Sequence, residues 1–323
     1  RRGGLGDGTM KAAGITDSSG LDALANVDVP RPEPGDGEVL VRVHAAAITP
    51  TEVTWSSTWK TGAGVYRPFP IMSSHEFSGT VAALGHGVTE VALGDVVYGF
   101  NHWDQQGAQA DYCLARPARP AQLAPKPQSL DFVQAAEVPI SALTAWQALF
   151  EHGHVTAGQR VLIHGATGGV GAFAVQLAHG KGAHVIATAS TSNLDFARQL
   201  GADEIVDYTT TRFDAVVRDV DMVLDTVGGE TLAQSLNALK PGGVLVAIAD
   251  EPSQEQAEAR GVRAVFFVVE PRQQELVEIG QMIDAGQLRP LVAAVYPLAQ
   301  VREAYARARA GRMRGKVVLQ VVD

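Results

Sequence analysis

The chain is 323 residues long, which is enough for about two domains and at least one sizeable core. Hydrophobic residues make up 46% and charged residues 19%, a globular rather than a disordered balance. The net charge of −9, without a basic block, argues against nucleic acid or an anionic membrane as the main partner, although backbone dipoles can still bind a small anion.

Residues 1–9 are Gly-rich and unpatterned, and Met10-Lys11-Ala12 looks like a natural start, so the first nine read as a leader or appended segment. No secretory signal is visible. Cys113 is the lone cysteine, which excludes an internal disulfide and any zinc site with more than one cysteine ligand. It fits a reducing, cytoplasmic location. The uncharged run Val161–Gly180 holds five glycines, Thr167 and Gln176, and reads poorly as a membrane span.

From residue 10 the pattern is short strands punctuated by glycine and proline: Val39–His44, Gly79–Gly85 and Gly94–Gly99, with a Pro30–Gly37 loop before the first. That spacing suggests an all-β barrel or sandwich. Beyond the prolines at 117, 120, 125 and 127 the character becomes helical, over about Ala135–Phe150, with Pro139 setting a kink or a helix start. Strands then alternate with helices. The strands are Arg160–His164, His184–Thr188, Glu204–Val206, Met222–Asp225, Val244–Ala249 and Ala264–Val269. The helices are Val170–His179, Ser192–Leu200, Glu230–Lys240 and Gln273–Ala285. Ser192 with Asp195 reads as a weak capping box, and Gly201 as a helix C-cap. This rhythm predicts a parallel sheet covered on both faces. The tail adds a helix over about Ala299–Ala310 and a strand at Lys316–Val322. The expected division is residues 10–125, completed by 288–323, and residues 126–287.

The strongest chemical signal is Val161-Leu162-Ile163-His164-Gly165-Ala166-Thr167-Gly168-Gly169-Val170-Gly171. A buried strand runs into a glycine turn that opens a helix. Against G-x-G-x-x-G, Ala166 takes the first place, Gly168 the second and Gly171 the third. The second lets backbone approach a pyrophosphate, and the third lets helix pack close to strand. The helix N-terminus then offers amide hydrogens to the phosphates. The end of the second strand, Val185–Asn193, has no acid to hold a ribose 2′-hydroxyl, which favours NADP over NAD, with Ser190, Ser192 and Asn193 as hydrogen-bond donors.

These features resemble the medium-chain dehydrogenase/reductase superfamily, in its zinc-independent quinone oxidoreductase (zeta-crystallin-like) family. The resemblance covers nearly the whole chain from Met10. It rests on Pro70–Val81, Gly94–Gly99, Thr144-Ala145-Trp146, Gly168–Gly171, Gly201-Ala202-Asp203 with Asp207-Tyr208, Asp225–Gly229 and Gly315–Leu319. It implies an α/β fold: a Rossmann doubly wound parallel sheet plus a GroES-like β-barrel domain, with NADPH in the cleft between them. It also implies hydride transfer to a quinone or to the β-carbon of an α,β-unsaturated carbonyl. By position, Thr144 lies near the cofactor; Ala166, Thr167, Gly168, Gly169 and Val170 form the pyrophosphate loop; Ser190, Asn193 and Tyr208 surround the 2′-phosphate. Val227 and Phe267 border the nicotinamide side, and Lys316 joins the cofactor set.

Two positions depart from the family pattern. Relatives often carry Lys where Asn193 stands. The Asn-Pro-x-Asp that follows the first long strand is here Thr49-Pro50-Thr51-Glu52, which suits a reshaped pocket. His75-Glu76 is similar to the pair that helps bind zinc in alcohol dehydrogenases, but the cysteine ligands are missing and no metal is expected. His75 reads as a hydrogen-bonded residue, and His102, His152 and His154 as loop residues. No G-x-S-x-G elbow occurs, and Ser57–Lys60 matches S-x-x-K without support.

Hydride addition to a conjugated acceptor places negative charge on an oxygen, so catalysis asks for alignment and a hydrogen-bond donor there. Thr49, Thr51 and Tyr66 are the candidate hydroxyls, and Trp55, Trp59 and Trp103 a candidate wall for a flat ring. A quinone or enone reductase is the leading reading. A specialised biosynthetic enoyl reductase, or an NADPH-binding sensor or structural protein with little turnover, also fits. Ala264–Val269 is a candidate homodimer edge.

Overall fold

The computed structural model describes residues 8–323, so the leader expected over 1–9 falls almost wholly outside the described residues. Packing divides the chain into two units. One extends through Ile140 and takes in Pro271–Asp284 and Pro290–Asp323; the other holds Ser141–Glu270 and Ala285–Arg289.

The second unit is built on six parallel strands. Their spatial order is Glu204–Asp207, His184–Ala189, Arg160–Ile163, Val220–Asp225, Leu239–Ala247 and Arg263–Phe266. In order along the chain this is 3-2-1-4-5-6, the doubly wound arrangement expected from the sequence. The apolar runs explain it. Val161, Val185, Val223, Leu224 and Leu245 are fully buried, as strands covered on both faces require. Helices Gly169–Gly180, Leu194–Leu200 and Gly229–Ser235 are among the crossovers that cover those faces. Strand order reverses between Arg160–Ile163 and Val220–Asp225. A crevice outside the carboxyl ends of strands at such a point is where open α/β sheets bind ligands.

The first unit holds a seven-stranded sheet in the order Val292–Pro297, Lys316–Gln320, Val39–Ala47, Glu76–Leu84, Val96–Phe100 and Leu123–Pro125, with Tyr112–Ala115 also paired to Val39–Ala47. Val39–Ala47 is the hub, antiparallel to Glu76–Leu84, to Tyr112–Ala115 and to the tail strand. That pairing is why the C-terminal residues complete the barrel. A separate hairpin, Thr9–Ile15 with Leu24–Pro30, precedes it. Its first strand is rich in Ala and Gly, weak strand formers, and so was not expected from the sequence.

Three expectations are corrected. The helix at 194 begins with Asn193 in the cap position and no side-chain cap, so the Ser192–Asp195 box does not form. The helix expected at Glu230–Lys240 stops at Ser235 and tightens to a 3₁₀ turn, because Leu239 already begins the next strand. The boundaries also move. The helix Gln273–Asp284, expected with the parallel sheet, packs in the first unit. Side chains explain the shift: Tyr98 donates from its phenol to the Leu276 carbonyl at 2.7 Å, Gln273 Nε2 donates to the Leu123 carbonyl at 2.9 Å, and the Asp284 carboxylate accepts from the Ser129 amide and hydroxyl at 3.0 and 2.6 Å. Among the described residues, no helix is long and apolar enough to cross a membrane.

Tyr98 is fully buried, so Tyr98→Phe leaves the Leu276 carbonyl without that donor. The substitution should cost about 1 kcal/mol in urea unfolding of the first unit. An unchanged midpoint would show that the tie contributes nothing.

Candidate functional site

In the parallel-sheet unit, the strand Arg160–Ile163 ends at His164 and the chain turns through Gly165 into the helix Gly169–Gly180. Gly165 has φ of +64°, and a Cβ there would sit 2.5 Å from Thr226 Oγ1, so the tight-turn duty falls on Gly165. Ala166, placed first by the motif, is buried with its amide bonded to the Thr188 carbonyl. A Cβ at Gly171 would lie 1.9 Å from the Gly165 carbonyl oxygen, so the fold itself demands glycine there.

Gly168 is different. Its φ of −76° and ψ of −177° suit any residue, and a Cβ would meet only the Gly165 carbonyl oxygen at 3.4 Å. Nothing within the fold requires glycine at this N-cap. A bare backbone is needed only if something from outside approaches it. The first-turn amides of Gly169, Val170 and Gly171 have no acceptor inside their own helix. This is a cradle fitted to a diphosphate.

Around it the supports are fixed. Thr226 donates from its hydroxyl to the His164 carbonyl at 2.9 Å, joining the loops after the first and fourth strands. Asp225 accepts from the Gly228 amide at 2.8 Å, and Asp250 from the Gly229 amide at 2.7 Å. The Ser235 hydroxyl donates to the Thr231 carbonyl and therefore accepts from His164 Nε2; the Thr188 hydroxyl then donates to His164 Nδ1. Burial lowers the His164 pKa to about 4, so the ring is neutral. His164, Thr188, Tyr208, Arg212 and Val227 line a groove of about 600 Å³.

Of the residues expected around a 2′-phosphate, Asn193 Nδ2 donates to Ser190 Oγ at 3.0 Å, and Tyr208 is exposed. The structure adds an acid missed by reading the second strand alone. Asp207, at the end of the third strand, is in register with Ala189. Hydrogen bonds from the Thr191 and Thr209 hydroxyls, at 2.5 and 2.6 Å, lower its pKa and already engage its oxygens. Its register opposite Ala189 could be found only from the pairing. Thr144 is buried in the helix Pro139–Trp146. Val227 is exposed, and Phe267 stacks on His152 with centroids 4.4 Å apart.

In the barrel unit, Lys316, expected in the cofactor set, is held by two side chains of its own unit. Its Nζ lies 2.6 Å from Glu76 Oε2 and donates to Thr49 Oγ1 at 3.2 Å. Glu76 is fully buried. Nearby Glu137, also fully buried, accepts the Leu291 amide on Oε1 at 2.7 Å, while among the described residues its Oε2 has no hydrogen-bond partner. Burial, and then the Glu76 charge, push the Glu137 carboxyl well above the usual range, which favours its protonated form; burial raises Glu76 too, against the pull of the Lys316 ammonium. Thr49 joins this cluster. Thr51 is exposed, and Tyr66 is exposed under the Lys60 ammonium; neither belongs to it. Trp55 packs edge-on against Trp103, whereas Trp59 packs into the core beside Val53, to whose carbonyl it donates.

His75 is buried between two acceptors. Asn101 Nδ2 donates to the carbonyls of Gln106 and Leu114, which turns Asn101 Oδ1 toward His75 Nδ1 at 2.8 Å. Nδ1 therefore carries hydrogen, and Nε2 faces Glu52 Oε1 at 2.8 Å. Burial alone would lower the ring's pKa; the Glu52 carboxylate outweighs it and raises it. These donors do not fit zinc. Both His75 nitrogens are engaged, Glu76 is paired with an ammonium, and Cys113 is buried in strand pairing with Val41. Among the described residues, no group of three or more His, Cys, Asp or Glu side chains is arranged to hold a metal.

A raised carboxyl pKa stabilises the fold below the unfolded value, near 4.5, and that benefit is lost as pH rises through the folded value. Glu137→Gln keeps the acceptor for Leu291 and cannot ionise. Its melting temperature relative to wild type should therefore be higher at about pH 8 than at about pH 5. A difference independent of pH would contradict the neutral Glu137.

Two family models match this chain, an alcohol dehydrogenase GroES-like domain at residues 35–126 and a zinc-binding dehydrogenase at residues 200–319. A probable mitochondrial zinc-binding oxidoreductase of Arthroderma benhamiae is 35% identical over 310 residues, 91% of each chain. The chloroplastic NADPH-dependent alkenal/one oxidoreductase of Arabidopsis thaliana is 31% identical, covering 96% of this chain and 79% of that protein. The solved quinone oxidoreductase from Coxiella burnetii superposes with a TM-score of 0.89 at 32% identity, covering 97% of this chain and 99% of that one. With the doubly wound sheet, the barrel and the glycine loop in place, the chain belongs to the medium-chain dehydrogenase/reductase superfamily, in its quinone-oxidoreductase-like family of oxidoreductases.

Proposed function

We propose that this chain is an NADPH-dependent reductase that delivers hydride to a quinone or to the β-carbon of an α,β-unsaturated carbonyl. The observation that carries the reading is Gly168, a glycine that the fold does not require, at the N-cap of a helix whose first amides point outward. The names borne by the Arabidopsis and Coxiella relatives supply the acceptor class.

A bound reduced nicotinamide supplies the hydride. The residues of this chain hold and orient. The amides of Gly169, Val170 and Gly171 bind the pyrophosphate. Ser190, Asn193 and Tyr208 offer hydrogen bonds to the 2′-phosphate, and Asp207 opposes it less than a bare acid would, since Thr191 and Thr209 already occupy its oxygens. Thr49 is the favoured hydroxyl for the acceptor oxygen, because, of the three candidates, it is the one hydrogen-bonded to the ion-paired Lys316 ammonium. Quinones need less help at that oxygen, since the aromatic product is already stabilised.

Gly168→Asp tests the reading. Asp is among the best N-cap residues and the backbone there is extended, so the fold should melt no lower than wild type. A carboxylate at the cradle should repel diphosphate and weaken NADPH binding, followed by the cofactor's fluorescence, about 100-fold or more, by analogy with unpaired charge at a binding site. Retained affinity in the folded variant would remove the cradle from cofactor binding. Wild-type binding without oxidation of NADPH by benzoquinone, phenanthrenequinone or enals would favour a sensor or a narrow biosynthetic substrate.

A further inference from the structure

We infer that Lys316 is a positioning residue for the reaction: pinned by Glu76, its ammonium donates to Thr49 Oγ1 and leaves the threonine hydroxyl proton to bond the oxygen on which charge grows during reduction. The inference rests on the hydride-transfer reading above.

Burying this ion pair is costly. An ammonium with little exposure and a fully buried carboxylate lose hydration, and a well-packed apolar pair of similar volume is often as stable or more so. Stability alone therefore gives little reason to keep the pair. Its geometry gives another. Glu76 Oε2 holds the ammonium at 2.6 Å, and a second ammonium hydrogen reaches Thr49 Oγ1 at 3.2 Å.

A threonine hydroxyl has one proton and acts as donor or acceptor. With one of its two lone pairs taken by a cation, its oxygen is a poorer acceptor and its proton a better donor outward, because the donated bond is strengthened by polarisation along the chain. This bears on the departure from Asn-Pro-x-Asp. An asparagine amide brings its own two donor hydrogens, whereas Thr49 needs a neighbour to fix its direction. Lys316 is that neighbour.

Glu137 completes the arrangement. Two ionised carboxylates beside one ammonium would leave a net negative charge next to a developing oxyanion. Burial favours protonated Glu137, which leaves the cluster neutral; among the described residues its Oε2 has no hydrogen-bond partner. Thr49 is partly exposed, while both carboxylates of the cluster are fully buried. The ammonium's hydrogen bond thus reaches a partly exposed hydroxyl.

The test is a mutant cycle on the full chain. Lys316→Met alone strands Glu76 as a buried charge and is liable to misfold, so Lys316→Met is paired with Glu76→Gln, and folding is checked by melting. Thr49→Val removes the donor. With an enal and saturating NADPH, Thr49→Val and the Lys316→Met/Glu76→Gln pair should each lower kcat about 10- to 100-fold, the loss typical of one oxyanion donor or somewhat less. The triple variant should fall no further than either, and NADPH affinity should hold throughout. Lys316→Arg in the native background should keep part of the rate. The losses should be smaller with benzoquinone. Losses that multiply in the triple variant, or a paired variant as fast as wild type, would overturn the role of Lys316 and leave the hydride-transfer reading standing. A wild-type protein that binds NADPH but reduces no quinone or enal would overturn that reading and this inference with it.

Discussion

A row of amide hydrogens without acceptors, at the start of the helix Gly169–Gly180, is the constraint around which the parallel-sheet unit is arranged. Helix termini always leave such groups, and they must be met by side chains, water or ligand. Here the cap position carries no side chain, so the terminus is left for something else. Its surroundings are built to keep it in place. Gly171 lets the helix sit against the Gly165 carbonyl, Thr226 clamps the His164 carbonyl, and the neutral His164 links two hydroxyls beneath. The strand order reverses at this point, and the helix dipole adds its positive end.

The barrel unit solves a different problem, the burial of charge. Glu52 is hydrogen-bonded to His75, Glu76 is ion-paired with Lys316, and burial favours the protonated form of Glu137. His75 and Glu76 are neighbours along the chain. Here each member already has a protein partner. The same positions therefore form a hydrogen-bonded, ion-paired scaffold that reaches the partly exposed Thr49.

Much of this was legible in the sequence where periodicity is strong. The central parallel strands, Arg160–Ile163, His184–Ala189 and Val220–Asp225, follow from apolar runs, because such strands are buried on both faces and tolerate little else. The glycine loop was legible as a motif, but not the division of labour inside it. Only coordinates separate Gly165 and Gly171, which the chain needs, from Gly168, which it does not. The Ala-rich first strand, the Asp207–Thr191 contact and the reassignment of Gln273–Asp284 were hidden because each depends on a partner far along the chain. The same holds for Lys316. As part of a Gly-Lys-Val-Val-Leu run it suggests a cofactor contact, and only the pairing of Lys316–Gln320 with Val39–Ala47 puts it beside Thr49 and Glu76.

The claim on which the account turns is that the backbone amides after Gly168 hold a diphosphate. Amide nitrogen–proton NMR of isotope-labelled protein, titrated with NADPH and separately with ADP-ribose, reads those groups directly. The account predicts saturable shifts of the Gly169, Val170 and Gly171 resonances with both ligands, among the largest in the spectrum. Binding that leaves these three amides unmoved, or no binding of either ligand, would contradict it.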